Sequence, residues 1–152
     1  MNILLITGKT ASGKSTFLEK RSNCHVIDPL GPGFTEWCEP TVFCEVVAFD
    51  HAHSLSNAKR DLTAAYAWCE ANKKPLWLLE NSRKDIESCG FEFDRRTVEL
   101  QLFSENGGQK WQFIVEGEIM APTPYFFGKL TGYGLEGRTP KILPTPELAL
   151  NA

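Results

Sequence analysis

The octamer Gly8-Lys9-Thr10-Ala11-Ser12-Gly13-Lys14-Ser15 satisfies the pattern G-x-x-x-x-G-K-[ST] and directly follows an apolar run, Ile3-Leu4-Leu5-Ile6, short enough to be one buried strand. A strand entering such a loop and leaving it as a helix is the opening of an α/β fold built on a parallel sheet. The residue types have a physical reason. Gly8 and Gly13 let the backbone turn and bring its N–H groups close to phosphate oxygens, and the helix opening near Lys14 directs its positive end at them. In this reading Gly8, Lys9, Thr10, Ala11, Ser12, Gly13, Lys14, Ser15 and Thr16 hold the phosphates. Lys14 reaches the β/γ-phosphates, and Ser15 ligates Mg²⁺.

A chain of 152 residues with 42% hydrophobic content supports one core and is short for two. The expected division is a domain over residues 1–120 and a Pro/Gly-rich arm or tail over 121–152, where prolines and glycines multiply from Pro122 onward. A net charge of −3 supplies no overall basic field, so a nucleic-acid partner would have to be held by local patches. The five cysteines include no C-x-x-C pair and fall mostly where apolar residues belong, as reduced core thiols of a cytoplasmic protein do. No histidine has zinc-ligand spacing from a close cysteine pair. No apolar stretch approaches a membrane span, and the first residues lack the pattern of a signal peptide.

Strand signals fall at Asn2 to Thr7, His25 to Asp28, Cys44 to Phe49 and Pro75 to Leu79, with helical patterns after the first and third. The clearest helix runs from about Ser56 to Asn72: Ala58, Leu62, Ala65, Tyr66 and Cys69 share one face, Ser56 is the expected N-cap, and Pro75 marks the stop. Ser82 with Asp85 forms a capping arrangement for a two-turn helix that Gly90 ends. Thr97–Phe103 and Trp111–Val115, joined through Glu105-Asn106-Gly107-Gly108, read as a β-hairpin at the sheet edge or folded over it. The fold class is therefore α/β, mainly a parallel sheet flanked by helices with a C-terminal hairpin.

A phosphate loop needs a carboxylate on a neighbouring strand to hold hydrated Mg²⁺, and Val46-Val47-Ala48-Phe49 ends in Asp50. His51 follows it, where a hydrolase usually carries a glutamate. Three readings stay open: His51 acts as the base, Glu80 at the end of the next strand takes that role, or hydrolysis is slow. His53 reads as a solvated loop histidine. Asn81, just past the same strand, is placed to sense the γ-phosphate, since ligands of open α/β sheets sit outside the carboxyl strand ends. Arg83, Arg95 and Arg96 are candidates for an arginine that stabilises transferred-phosphate charge.

The series GKTASGKS, VIDPLGPGF, VVAFDHAH and LLENSRKDIESCGFEFDRRTVELQL resembles the FtsK–HerA group of P-loop motor ATPases, which includes viral DNA-packaging ATPases and Zot-like phage assembly proteins. The similarity covers roughly Met1 to Phe103. The Asp28-Pro29-Leu30-Gly31 turn matches that group; His51 stands where its glutamate is usual, and Asn81 where glutamine is common. The resemblance implies a P-loop NTPase fold, ATP and Mg²⁺ as cofactors, DNA as a possible partner, and a homo-oligomeric ring in the cytoplasm or, for a viral protein, the host cytoplasm or virion. A small-molecule or nucleotide kinase is the alternative, because P-loop kinases share this loop spacing and carry arginine pairs comparable to Asp94-Arg95-Arg96.

Overall fold

A computed structural model describes residues 3–9, 14, 18, 23–94, 97–121, 135 and 138–142. Thr10, Ala11, Ser12, Gly13, Ser15, Thr16, Arg95 and Arg96 lie outside the described residues. Within them the chain forms one sheet whose strands are β1 (Ile3–Thr7), β2 (Cys24–Ile27), β3 (Val46–Asp50), β4 (Leu76–Glu80), β5 (Val98–Glu105), β6 (Gly108–Val115), β7 (Glu118–Met120) and β8 (Thr139–Pro140). The order across the sheet is β2-β3-β4-β1-β5-β6-β7, with β8 pairing β6 outside that path. The pairs β2–β3, β3–β4, β4–β1 and β1–β5 are parallel, whereas β5–β6 and β6–β7 are antiparallel.

The central strands are apolar almost throughout because both of their faces are covered. Alternate residues sort onto the two sides. Leu5, Val47, Phe49, Leu76 and Leu78 join Leu62, Ala65 and Cys69 of the helix Ala58–Asn72 and Ile86 of the short helix Arg83–Glu87 in one core. Ile6, Val46, Ala48, Trp77 and Leu79 face the other way, packing with Leu18, Leu100, Trp111, Phe113 and Leu135. Lys14 and Leu18 are helical, as the pattern after β1 predicts. No helix among the described residues is long and apolar enough to cross a membrane.

The long helix starts at Ala58 with Asn57 as its N-cap, one residue past the expected N-cap Ser56. A 3₁₀ turn at Ala52–Ser54 gives way at Leu55 to an extended residue before the helix begins. Lys73, left-handed at φ 55°, ends the helix and returns its N–H to the Cys69 and Glu70 carbonyls. The Ser82–Asp85 capping box forms as expected. The hairpin continues the sheet beyond β1 rather than folding over it. Its Asn106-Gly107 turn takes φ values of 53° and 77°, whose twist suits a two-residue connection. A second tight turn at Glu116-Gly117 leads into β7, which the sequence reading does not anticipate.

Part of the expected arm packs on the domain. Leu135 is only 2% exposed, Arg138 Nη1 donates to the Lys110 carbonyl at 2.9 Å, and Thr139–Pro140 pairs alongside Lys110 and Trp111. None of the five cysteines forms a disulfide, and Cys44 and Cys69 are buried.

Candidate functional site

Four parallel strands end on one edge of the sheet, and their order fixes which side chains become neighbours. From β2 to β1 the residues at or just past the strand ends are Asp28, Asp50 with His51, Glu80 with Asn81, and Thr7 with Gly8. The register sets Thr7 opposite Glu80 and Asp50 opposite Leu79. β4 thus separates the strand that enters the glycine loop from the strand that ends in Asp50. Of the residues expected from sequence, Gly8, Lys9, Lys14, Asp50, His51, Glu80 and Asn81 gather here. Arg83 makes its contacts elsewhere: its Nε pairs with Glu87 at 3.2 Å, and its guanidinium lies 4.5 Å from the centre of the Phe93 ring.

The Lys14 ammonium donates to the carbonyls of Gly8 and Lys9, the latter at 3.1 Å, and to Asn81 Oδ1 at 3.2 Å. Gly8 N–H donates to the Asn81 carbonyl at 3.3 Å, so the loop entrance and the end of β4 are tied together. Burial strips water from the ammonium and lowers its pKa below the ordinary lysine value, although the charges of Asp50 and Glu80 pull the other way. A partly desolvated cation held by backbone carbonyls and an amide oxygen is able to exchange those partners for phosphate oxygens.

Asp50, 6% exposed, stands beside a second carboxylate, Asp28, which the sequence reading places at a strand end and turn but gives no role in the site. Asp28 Oδ1 accepts from the Leu30 N–H at 3.0 Å and lies 2.9 Å from His51 Nδ1. The same ring nitrogen is 3.4 Å from Asp50 Oδ1. His51 takes a left-handed conformation, φ 56° and ψ 41°, which directs the chain out of β3 and into the 3₁₀ turn. A Cβ at Gly31 would lie 2.1 Å from Asp28 Oδ2, so a larger residue there would displace the Asp28 carboxylate. Burial opposes protonation of His51; the Asp28 hydrogen bond and the charges of Asp50, Asp28 and Glu80 outweigh it and raise the imidazole pKa.

Ligand atoms of Asp28, Asp50 and His51 lie within 4.8 Å of one another. Two carboxylates suit a hard cation such as Mg²⁺, which is commonly held by one or two of them together with substrate phosphates. A cleft of about 410 Å³ opens beside this cluster, walled by Leu18, Val26, Pro32 and Gly33.

Glu80 has a different partner. Only 3% exposed, it accepts from the backbone N–H of His53 at 3.1 Å, and each carboxylate oxygen lies 2.9 Å from His53 Nδ1. On the other side of the loop strand, the Thr7 hydroxyl donates to the buried Glu99 at 2.6 Å. Sequence reasoning missed three of these roles: Asp28 as a member of the row, His53 as the partner of Glu80, and Glu99 beneath the loop. The strand-end argument that selects Asp50 also selects Asp28. No local signal links His53 to a carboxylate 27 positions away. Comparison with protein-family models, with curated proteins and with solved structures finds no match to this chain.

Proposed function

We propose that this chain is a Mg²⁺-dependent ATP-binding protein and ATPase, a P-loop NTPase of the FtsK–HerA type that works on DNA as a cytoplasmic homo-oligomer. The observation that carries the reading is the meeting of Lys14, Asp50, Glu80 and Asn81 on one sheet edge, immediately beside Gly8. Lys14 neutralises phosphate charge, Asp50 with Ser15 holds Mg²⁺, and Asn81, already bonded to Lys14, reports the terminal phosphate. The bound Mg²⁺ supplies charge neutralisation at the phosphates. Fixed positive groups aimed at developing negative charge account for much of catalysis in phosphoryl transfer.

The test is Mg²⁺-dependent ATP turnover by the wild type and Lys14→Ala, each alone, with DNA, and with a panel of nucleosides and nucleotides. Turnover stimulated by DNA and abolished in Lys14→Ala is the expected result. A protein that stays monomeric with ATP and DNA together would rule out the ring.

One observation favours a second reading, that of a small-molecule or nucleotide kinase. The cleft beside Asp50 and His51 has an apolar wall and a polar end, as a site for a small acceptor would. ADP formation that requires one added acceptor and ignores DNA would establish it over the motor.

A further inference from the structure

We infer that Glu80 is the base that activates the attacking water and that His53 is its positioning residue. This rests on the ATPase reading and specifies which group completes that site.

Glu80 ends the strand lying between β1, which leads into the glycine loop, and β3, which ends in Asp50. It is the neighbour in sequence of Asn81, whose side chain already accepts from Lys14. The strand order sets the backbone of Glu80 between the ends of β1 and β3, and its charge acts on Lys14. His51, the other candidate, has its Nδ1 directed at Asp28 and Asp50. It belongs to the carboxylate cluster, on the side of β3 away from the loop strand.

A carboxylate at the end of a strand can rotate unless its oxygens are held, and a base is effective only when something fixes it. His53 does this with two groups: its backbone N–H meets Oε1, and its ring nitrogen meets both oxygens. The approach depends on the residues between. Left-handed His51 turns the chain sharply after Asp50, and the 3₁₀ turn Ala52–Ser54 lays His53 over the end of β4. The histidine that follows the strand by three positions therefore serves the adjacent strand, which supplies the carboxylate missing from position 51.

Glu80 accepts one proton from water while the water oxygen bonds to the γ-phosphorus. The bond from that phosphorus to the β–γ bridging oxygen breaks, and its electron pair leaves with ADP. Glu80 then releases the proton to solvent. His53 neither touches substrate nor exchanges a proton in the step.

The experiment uses the full chain and measures steady-state Mg-ATP turnover together with binding of a fluorescent ATP analogue, for wild type, Lys14→Ala, Glu80→Gln, His53→Ala and His53→Asn. Glu80→Gln should bind nucleotide as wild type does and lose about 100-fold or more in kcat, the range for removing a general base. His53→Ala should lower kcat about tenfold at unchanged KM, a loss typical of disturbing a group that orients another. His53→Asn, whose amide nitrogen can stand where Nδ1 stands, should recover most of that loss. Recovery at constant KM separates positioning from a merely structural role.

Wild-type turnover that is lost in Lys14→Ala but persists within twofold in Glu80→Gln overturns the base assignment and leaves the ATPase reading in place. Nucleotide binding without turnover in the wild type overturns both. If Glu80→Gln fails to bind nucleotide, the histidine pair decides: Asn no better than Ala overturns the proposal, and rescue by Asn supports it.

Discussion

A thiol inside the helix core shows how burial alone sets a residue's chemistry. Cys69 is almost fully buried against the sheet, and burial, with a smaller contribution from Cys44, pushes its pKa from an ordinary 9.0 up to about 12. Because the folded value is the higher one, the stability this thiol contributes is whole below pH 9 and is lost as pH climbs toward 12. Urea denaturation across that range should show stability falling at a limiting slope of about 1.4 kcal/mol per pH unit from this group, and Cys69→Ala should flatten the curve. An unchanged slope in the variant would show that other groups carry the alkaline loss. The core position of Cys69 was legible, since it falls on the apolar face of a helical pattern. Lys14, Asp50, Glu80 and Asn81 were legible for a similar reason: each is fixed by a loop pattern or a strand end. The pairing of His53 with Glu80 was not, because it depends on the left-handed turn at His51, which no residue type at that position announces.

Among the elements, those with both faces covered were the easiest to place. The runs of β1, β3 and β4 are apolar because parallel strands bury both sides, and their positions agree with the sequence reading to within two residues at either end. The helix cap lies one residue past the expected Ser56, and β7 went unseen because its three residues are all exposed and carry no apolar alternation. The hairpin was signalled by its turn. Gly107 adopts φ 77° with open space around the position of a Cβ, so Gly107→Ala meets no clash and pays only the backbone cost of a left-handed alanine. It should destabilise the protein by about 1 kcal/mol, seen as a lower urea midpoint at constant slope. A neutral result would mean that the turn relaxes to another type.

For the whole molecule, the strand order matters more than any one motif, since it decides which chain ends become neighbours. That order was not readable from the sequence: apolar runs show that strands exist, but not that β4 enters between β1 and β3. Nor did a Pro/Gly-rich composition show that Leu135 would fill the second core, where it packs in the cluster that includes Trp111 and Phe113. Leu135→Ala should cost about 2–5 kcal/mol, the range for truncating a buried leucine, and thermal unfolding should register the loss. A shift below about 0.5 kcal/mol, the usual size of a surface change, would place residue 135 outside the core.

The outer side of β6 is divided between two short partners, β8 beside Lys110 and Trp111 and β7 beside Phe113 to Val115. One contains a proline, which has no N–H to offer a further strand, and the other is three residues long with a glutamate at its start. Unpaired strand edges are the usual route by which sheets recruit one another into aggregates, and short, charged or proline-bearing edges block it. Among the described residues, this end of the sheet therefore offers only short, interrupted stretches of backbone as a template for strand addition.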